Sequence, residues 1–211
     1  MNCESLIFDI DGTLWDSREL VAKGYNDYLC EIGRADLQVT AEQLKSLFGK
    51  TMAEIADILF ASIEKPQRYT VMERCTDREE VFLHRDPCRI AFPGVVETLR
   101  ALKQDYRLFI VSNSQCGYPE LVIEKLDIGE LIEGHMCFGD TGRPKGETIR
   151  ILMDRYGLTD AVYIGDTQGD LEACRLAGVP FLFCAFGFGS PECWDARVEH
   201  FAEIPEVLKI M

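Results

Sequence analysis

The chain has 211 residues, 47% of them apolar and 27% charged, enough to bury a core without disulfide or metal staples. It sets 22 Lys and Arg against 36 Asp and Glu, a formal net charge of −14. So acidic a surface repels phosphate backbones and anionic lipid, which argues against nucleic acid and membranes as partners.

In chain order, the first apolar segment is Leu6-Ile7-Phe8, running directly into Asp9-Ile10-Asp11-Gly12-Thr13. From about Ser17 to Ile90 the pattern is helical throughout, with no convincing strand. Ser17 is a candidate cap for a helix carrying Leu20, Val21, Tyr25, Tyr28, Leu29 and Ile32. Thr40-Ala41-Glu42-Gln43 and Thr51-Met52-Ala53-Glu54 both fit the capping box, in which a hydroxyl and a carboxyl or amide three residues apart satisfy each other's backbone donors. The segment Gln67 to Arg85 is charged and is expected to be mostly exposed.

The strand signal returns after Pro93-Gly94, at Leu108–Val111, Met136–Phe138, Ala161–Ile164 and Phe181–Phe183. These runs are near-continuously apolar rather than alternating, as in strands covered on both faces of a parallel sheet. Helical periods separate them, at Val95–Leu102, Tyr118–Leu126, Glu147–Tyr156 and Leu171–Leu176, three of them followed by a Gly stop signal. The alternation predicts a doubly wound, mostly parallel α/β sheet with an all-helical insertion after its first strand. Ile204 to Ile210 is a candidate short helix. The longest apolar run, Val179 to Phe188, is broken by Pro180 and Gly187 and is far too short to span a bilayer.

The nine cysteines, Cys3, Cys30, Cys75, Cys88, Cys116, Cys137, Cys174, Cys184 and Cys193, form no C-x-x-C pair. An odd count at irregular spacing reads as reduced thiols in a cytoplasmic protein, with no catalytic cysteine expected. Three scattered histidines argue against a zinc site. Carboxylates are abundant, and they gather at strand ends: Asp9 and Asp11 after the first, Asp166 and Asp170 after the fourth, with Ser112-Asn113-Ser114 after the second. Ligands of open parallel sheets sit at such ends. Converging carboxylates repel unless a cation joins them, and magnesium, a hard ion that takes oxygen ligands, suits the set. Lys145 would add a second positive charge, giving an acidic protein a site for a phosphoryl group. Phe48-Gly49-Lys50-Thr51 resembles the end of a P-loop, but Leu44 stands where that motif needs Gly and no strand precedes it.

Together, Asp9-Ile10-Asp11-Gly12-Thr13, Ser112, Lys145 and Asp166-x-x-x-Asp170, in this order, resemble the four motifs of the haloacid dehalogenase superfamily, over the whole chain. The resemblance implies a catalytic core of residues 1–15 and 91–211 and a helical cap of residues 16–90. It implies that Asp9 is a nucleophile forming an aspartyl-phosphate and that Asp11 is the general acid and base. Phosphate would be held by Thr13, Ser112, Asn113 and Lys145, with Gly12 permitting the turn. Magnesium would be held by Asp9, the Asp11 carbonyl and Asp166, with Asp170 assisting directly or through water. Lys50 is a candidate substrate contact in the cap. Dehalogenases of this group lack a carboxylate at the position of Asp11, so its presence favours phosphate esters. The expected activity is hydrolysis of a small phosphorylated metabolite, by a monomer or homodimer. A phosphomutase resembling β-phosphoglucomutase and a catalytically idle binding module are the alternatives.

Overall fold

The computed structural model describes residues 4–87 and 89–211; Cys3 and Cys88 lie outside them. The chain divides into two compact units, one formed by residues up to Asp16 together with Ile90–Met211, the other by Ser17–Arg89.

The first unit is built on a sheet. Strand β1 (Ser5–Phe8) is followed, after the helical unit, by α5 (Val95–Leu102), β2 (Arg107–Ser112), α6 (Tyr118–Leu126), β3 (Ile132–Cys137), α7 (Phe138–Thr141), α8 (Lys145–Tyr156), β4 (Ala161–Gly165), α9 (Gln168–Ala177), β5 (Phe181–Cys184), β6 (Ala196–Val198) and α10 (Ile204–Leu208). The sheet order is β3-β2-β1-β4-β5-β6, and every pairing is parallel. The strand order reverses at β1, which lies between β2 and β4. Their carboxyl ends therefore open onto the crevice where such sheets bind ligands.

The apolar runs are strands because both faces are covered. Ile7, Phe109, Val111, Met136, Tyr163, Phe181 and Phe183 pack with Ile149, Leu152, Leu171 and Cys174 from α8 and α9 into one core. Each large apolar side chain so buried contributes roughly 1.5–3 kcal/mol.

The second unit holds α1 (Arg18–Glu31), α2 (Ala41–Lys45), α3 (Met52–Leu59) and α4 (Lys65–Arg85). Val21, Tyr25, Leu29, Leu44, Ile55, Phe60, Met72 and Cys75 form its own core. Both capping boxes are present, Thr40 with Gln43 and Thr51 with Glu54. Asn26 ties the connection to α2 by bonds to both the N–H and the carbonyl of Val39, at 2.7 and 2.8 Å.

Four expectations change. Ser17 stands at the first helix's N-cap position, but with φ −86° and ψ −7° it is already helical, and its side chain makes no capping bond; capping needs the extended backbone that lets the oxygen reach forward. The segment expected to be mostly exposed is a 21-residue helix whose Met72, Cys75, Thr76, Glu79 and Leu83 are buried. The third strand runs Ile132–Cys137, and Phe138 opens α7 instead of closing the strand; as an edge strand β3 exposes Glu133 and interrupts the apolar run. A sixth strand, Ala196–Val198, pairs with β5. It is only three residues long and carries a charged Arg197, so periodicity does not reveal it.

Candidate active site

The site begins where β1 ends. Asp9 is the first residue past the strand, and its N–H still donates to the Ile164 carbonyl at 2.9 Å, which fixes its backbone against β4. The residue is 3% exposed, and its side chain accepts at Oδ1 from Lys145 Nζ at 2.8 Å. Lys145, the first residue of α8, is 4% exposed and donates also to Asp170 Oδ1 at 2.7 Å. The lysine thus lies between two buried carboxylates. Burial works against its charge, but Asp170 and Asp9 hold its pKa above the ordinary value.

Asp170 is shaped by the start of α9. Thr167 caps the helix, its Oγ1 accepting from the Asp170 N–H at 3.2 Å. In return Asp170 Oδ2 accepts from Thr167 N, Thr167 Oγ1 and Asp166 N at 2.9, 2.7 and 3.2 Å. Tyr163, buried on β4, donates to Val111 O at 3.0 Å and lies 3.3 Å from Asp170 Oδ1. Burial opposes ionisation of Asp170, but Lys145 and Thr167 keep its pKa below the usual carboxylate value.

Asp166 differs. It is fully buried; its Oδ2 accepts from the Phe188 N–H at 2.6 Å, while its Oδ1 has no hydrogen-bond partner among the described residues. Burial, then the charges of Asp170 and Asp9, push its pKa well above the ordinary value. Asp9 is raised to about 7, by burial first, with Lys145 opposing and Asp170 adding to the rise. The chain walls Asp166 in with glycines. At Gly12, where φ is +85°, a Cβ would lie 2.2 Å from Asp166 Oδ2; at Gly187 it would lie 2.4 Å from Asp166 Cβ and 2.5 Å from the Gly12 carbonyl.

One ligand atom each of Asp9, Asp166 and Asp170 lie within 4.8 Å of one another. Three buried carboxylates face one lysine, and one carboxylate oxygen is orphaned. A hard cation fits this set, because it would neutralise the excess charge and occupy the orphan oxygen.

Asp11 accepts at Oδ1 from Tyr118 Oη at 2.8 Å and from Trp15 Nε1 at 3.1 Å. Thr13 is fully buried in the same turn, and Ser112 is buried at the end of β2, its Oγ accepting from Ser114 N at 3.2 Å. Asn113, half-buried, follows it. The core residues singled out from sequence all belong to this unit, at the carboxyl ends of β1, β2 and β4 and the starts of α8 and α9. Lys50 belongs to the helical unit, exposed between Gly49 and the Thr51 cap.

Sequence reading missed the Phe188 N–H, Tyr163, Thr167, Trp15 and Tyr118. Only Thr167 carries a local signal, the T-x-x-D spacing of a capping box.

An acidic crevice at the switch point of a parallel sheet, with one buried lysine joining two of its carboxylates, is the centre of an α/β enzyme. The sequence model for "Haloacid dehalogenase-like hydrolase" matches residues 6–184, and the chain belongs to that family. The chain is 28% identical over 204 residues to the phosphoglycolate phosphatase of Xanthomonas campestris pv. campestris, covering 92% of this chain and 90% of that protein. It is 29% identical over 193 residues to the pyrophosphatase PpaX of Listeria monocytogenes, covering 89% and 86%. A solved structure described as a predicted phosphoglycolate phosphatase from Haemophilus somnus superposes with a TM-score of 0.83 at 22% identity, covering 100% of this chain and 98% of that one. That likeness supports the α/β fold.

Proposed function

We propose that this chain is a magnesium-dependent phosphatase that hydrolyses a small phosphomonoester through an aspartyl-phosphate on Asp9. The observation that carries the reading is the pairing of Asp9 with Lys145 beside the orphaned oxygen of Asp166. A buried nucleophile with one counter-charge, beside carboxylate oxygens that suit a hard cation, fits attack on an anionic phosphorus.

Asp9, the Asp11 carbonyl and Asp166 would hold the ion, which when bound offsets the carboxylate charge and that of the transferring phosphoryl group. Both oxygens of Asp170 already accept from this chain's own donors, so it serves to orient Lys145 and reaches an ion only indirectly. Lys145 neutralises Asp9 and the incoming phosphoryl oxygens, while Thr13, Ser112 and Asn113 bind those oxygens. Gly12 lets the turn pass beside Asp166. As the bond from Asp9 to phosphorus forms and the bond to the leaving oxygen breaks, Asp11 gives that oxygen a proton. Asp11 then takes a proton from the water that releases phosphate.

The helical unit of residues 17–89 is the counterpart of the family's cap, and we assign substrate choice to it, with Lys50 as a candidate contact. Phosphoglycolate and pyrophosphate, the substrates named for the relatives, head the compounds to test.

The test is phosphate release from an aryl phosphate and a panel of metabolite phosphates, with magnesium, with EDTA, and with Asp9→Asn. Turnover that needs magnesium and disappears in the variant is expected. Turnover in EDTA, or in Asp9→Asn, would overturn the reading.

A further inference from the structure

Asp11 is held by two aromatic donors that come from distant parts of the chain. Trp15 lies four residues on, where the turn after β1 folds back: the Gly12 N–H donates to the Trp15 carbonyl at 3.0 Å. Tyr118 is the first residue of α6. Its Oη donates to Asp11 Oδ1 at 2.8 Å, and Trp15 Nε1 divides its single N–H between that oxygen, at 3.1 Å, and Tyr118 Oη, at 3.3 Å. The rings meet edge to face with centroids 5.9 Å apart. Trp15 is 1% and Tyr118 4% exposed, and their polar atoms are engaged with Asp11 and with each other. A core that needed only bulk at these positions would be filled by Phe or Leu, with no polar atom to satisfy.

We propose that Tyr118, with Trp15, is a positioning residue that orients Asp11 for proton transfer to the leaving group; this rests on the role given to Asp11 above. A carboxylate oxygen has two lone pairs, and two donors converge on Oδ1. A proton on Asp11 is therefore carried by Oδ2, and the fixed Oδ1 sets the direction in which Oδ2 presents it. The donors are neutral, so they aim the carboxyl without adding the counter-charge that an Arg or Lys would bring. The proton moves from Oδ2 to the leaving oxygen as the bond between phosphorus and that oxygen breaks, and Asp11 is left as the carboxylate. Tyr118 and Trp15 keep their own protons throughout.

The consequence is a dependence on the leaving group. An alkoxide needs the proton, whereas p-nitrophenolate departs without it. The experiment measures kcat/KM, which covers the steps through departure of the leaving group, on an alkyl phosphate and on p-nitrophenyl phosphate. The proteins compared are the parent, Tyr118→Phe, Trp15→Phe, Asp11→Asn and Asp11→Asn/Tyr118→Phe. Tyr118→Phe keeps the ring and removes only the hydroxyl, and thermal melting establishes that each variant is folded.

The loss in Tyr118→Phe is expected to be about tenfold greater on the alkyl phosphate than on the aryl one, a fraction of the 10²–10⁴ that a general acid supplies. Trp15→Phe should show the same bias. Adding Tyr118→Phe to Asp11→Asn should cost nothing further, because the group it positions is gone. Equal losses on both substrates, or a further loss in the double variant, would mark a structural role and overturn the proposal while leaving Asp11 its assignment. A leaving-group bias absent from Asp11→Asn itself would remove that assignment, and the proposal with it.

Discussion

Asp9 faces opposed demands. For the attack on phosphorus proposed above it has to be ionised, yet its surroundings raise its pKa to about 7, through burial and the neighbouring charge of Asp170 against the pull of Lys145. Because the folded value lies above the ordinary one, the native state binds more protons than the unfolded chain across this window, and stability falls as pH rises from the carboxylate range through about 7. Asp166 is shifted in the same direction. Protons and cation compete for these groups, so metal-free protein should melt at progressively lower temperature from pH 5.5 to 8, while the stabilisation given by saturating magnesium grows over the same range. Melting curves in EDTA and in magnesium check both halves; a magnesium effect independent of pH would contradict the assignment. Asp9→Asn should abolish turnover and keep the fold. Lys145→Ala should do more damage, leaving two buried carboxylates without their cation at a cost of about 3–5 kcal/mol, measurable by denaturant unfolding.

At the scale of elements, the site is made at the junctions where strands stop. Asp9, Ser112 and Asp166 each sit at or just past a strand's carboxyl end, and Asp170 is held by the capping box that opens α9. Replacing Thr167 with Val removes both the cap and one of the donors to Asp170, the hydroxyl, while the backbone N–H stays. A stability loss of about 1–2 kcal/mol is expected, together with lower turnover, as Asp170 loses its grip on Lys145. Gly187→Ala should leave the sheet intact but weaken magnesium activation, because a Cβ there meets Asp166 and the Gly12 carbonyl; titrating activity against magnesium checks this.

The same junctions explain what could be read in advance. The positions of Asp9, Asp11, Ser112, Asp166 and Asp170 were legible through short local patterns following strands, and that of Lys145, at the start of α8, only through its place in the order of those motifs. The Phe188 N–H was not, since a backbone donor leaves no mark on side-chain identity. Nor were Trp15 and Tyr118, which read as ordinary core aromatics until the fold brings positions 103 residues apart to one carboxylate. The central strands were legible through their unbroken apolar runs; β6 and the first half of β3 were not, because edge strands carry charged residues such as Arg197 and Glu133.

On the scale of the whole molecule, the net charge of −14 opposes the approach of an anionic substrate. Added salt screens that repulsion, so kcat/KM for a phosphate dianion at saturating magnesium should rise with ionic strength before it levels off. A monotonic fall would indicate a locally cationic approach, with Lys50 the first residue to replace. Lys50→Ala should then shift the ratio of activities across a panel of metabolite phosphates.

The position of β1 also governs how the protein acquires its shape during synthesis. Ser5 pairs with Arg107 on one side and Ala161 on the other, so the strand that leads into Asp9 waits for partners made long after it. The helices of residues 18–85, by contrast, find their core among near neighbours in sequence. Long-range strand pairing is slow, and helices with local contacts form early. On the ribosome the helical unit can therefore mature while β1 remains exposed, an apolar segment in need of shelter, and the site is complete only after α9 has emerged with Asp170 and Phe188, further on, has reached Asp166.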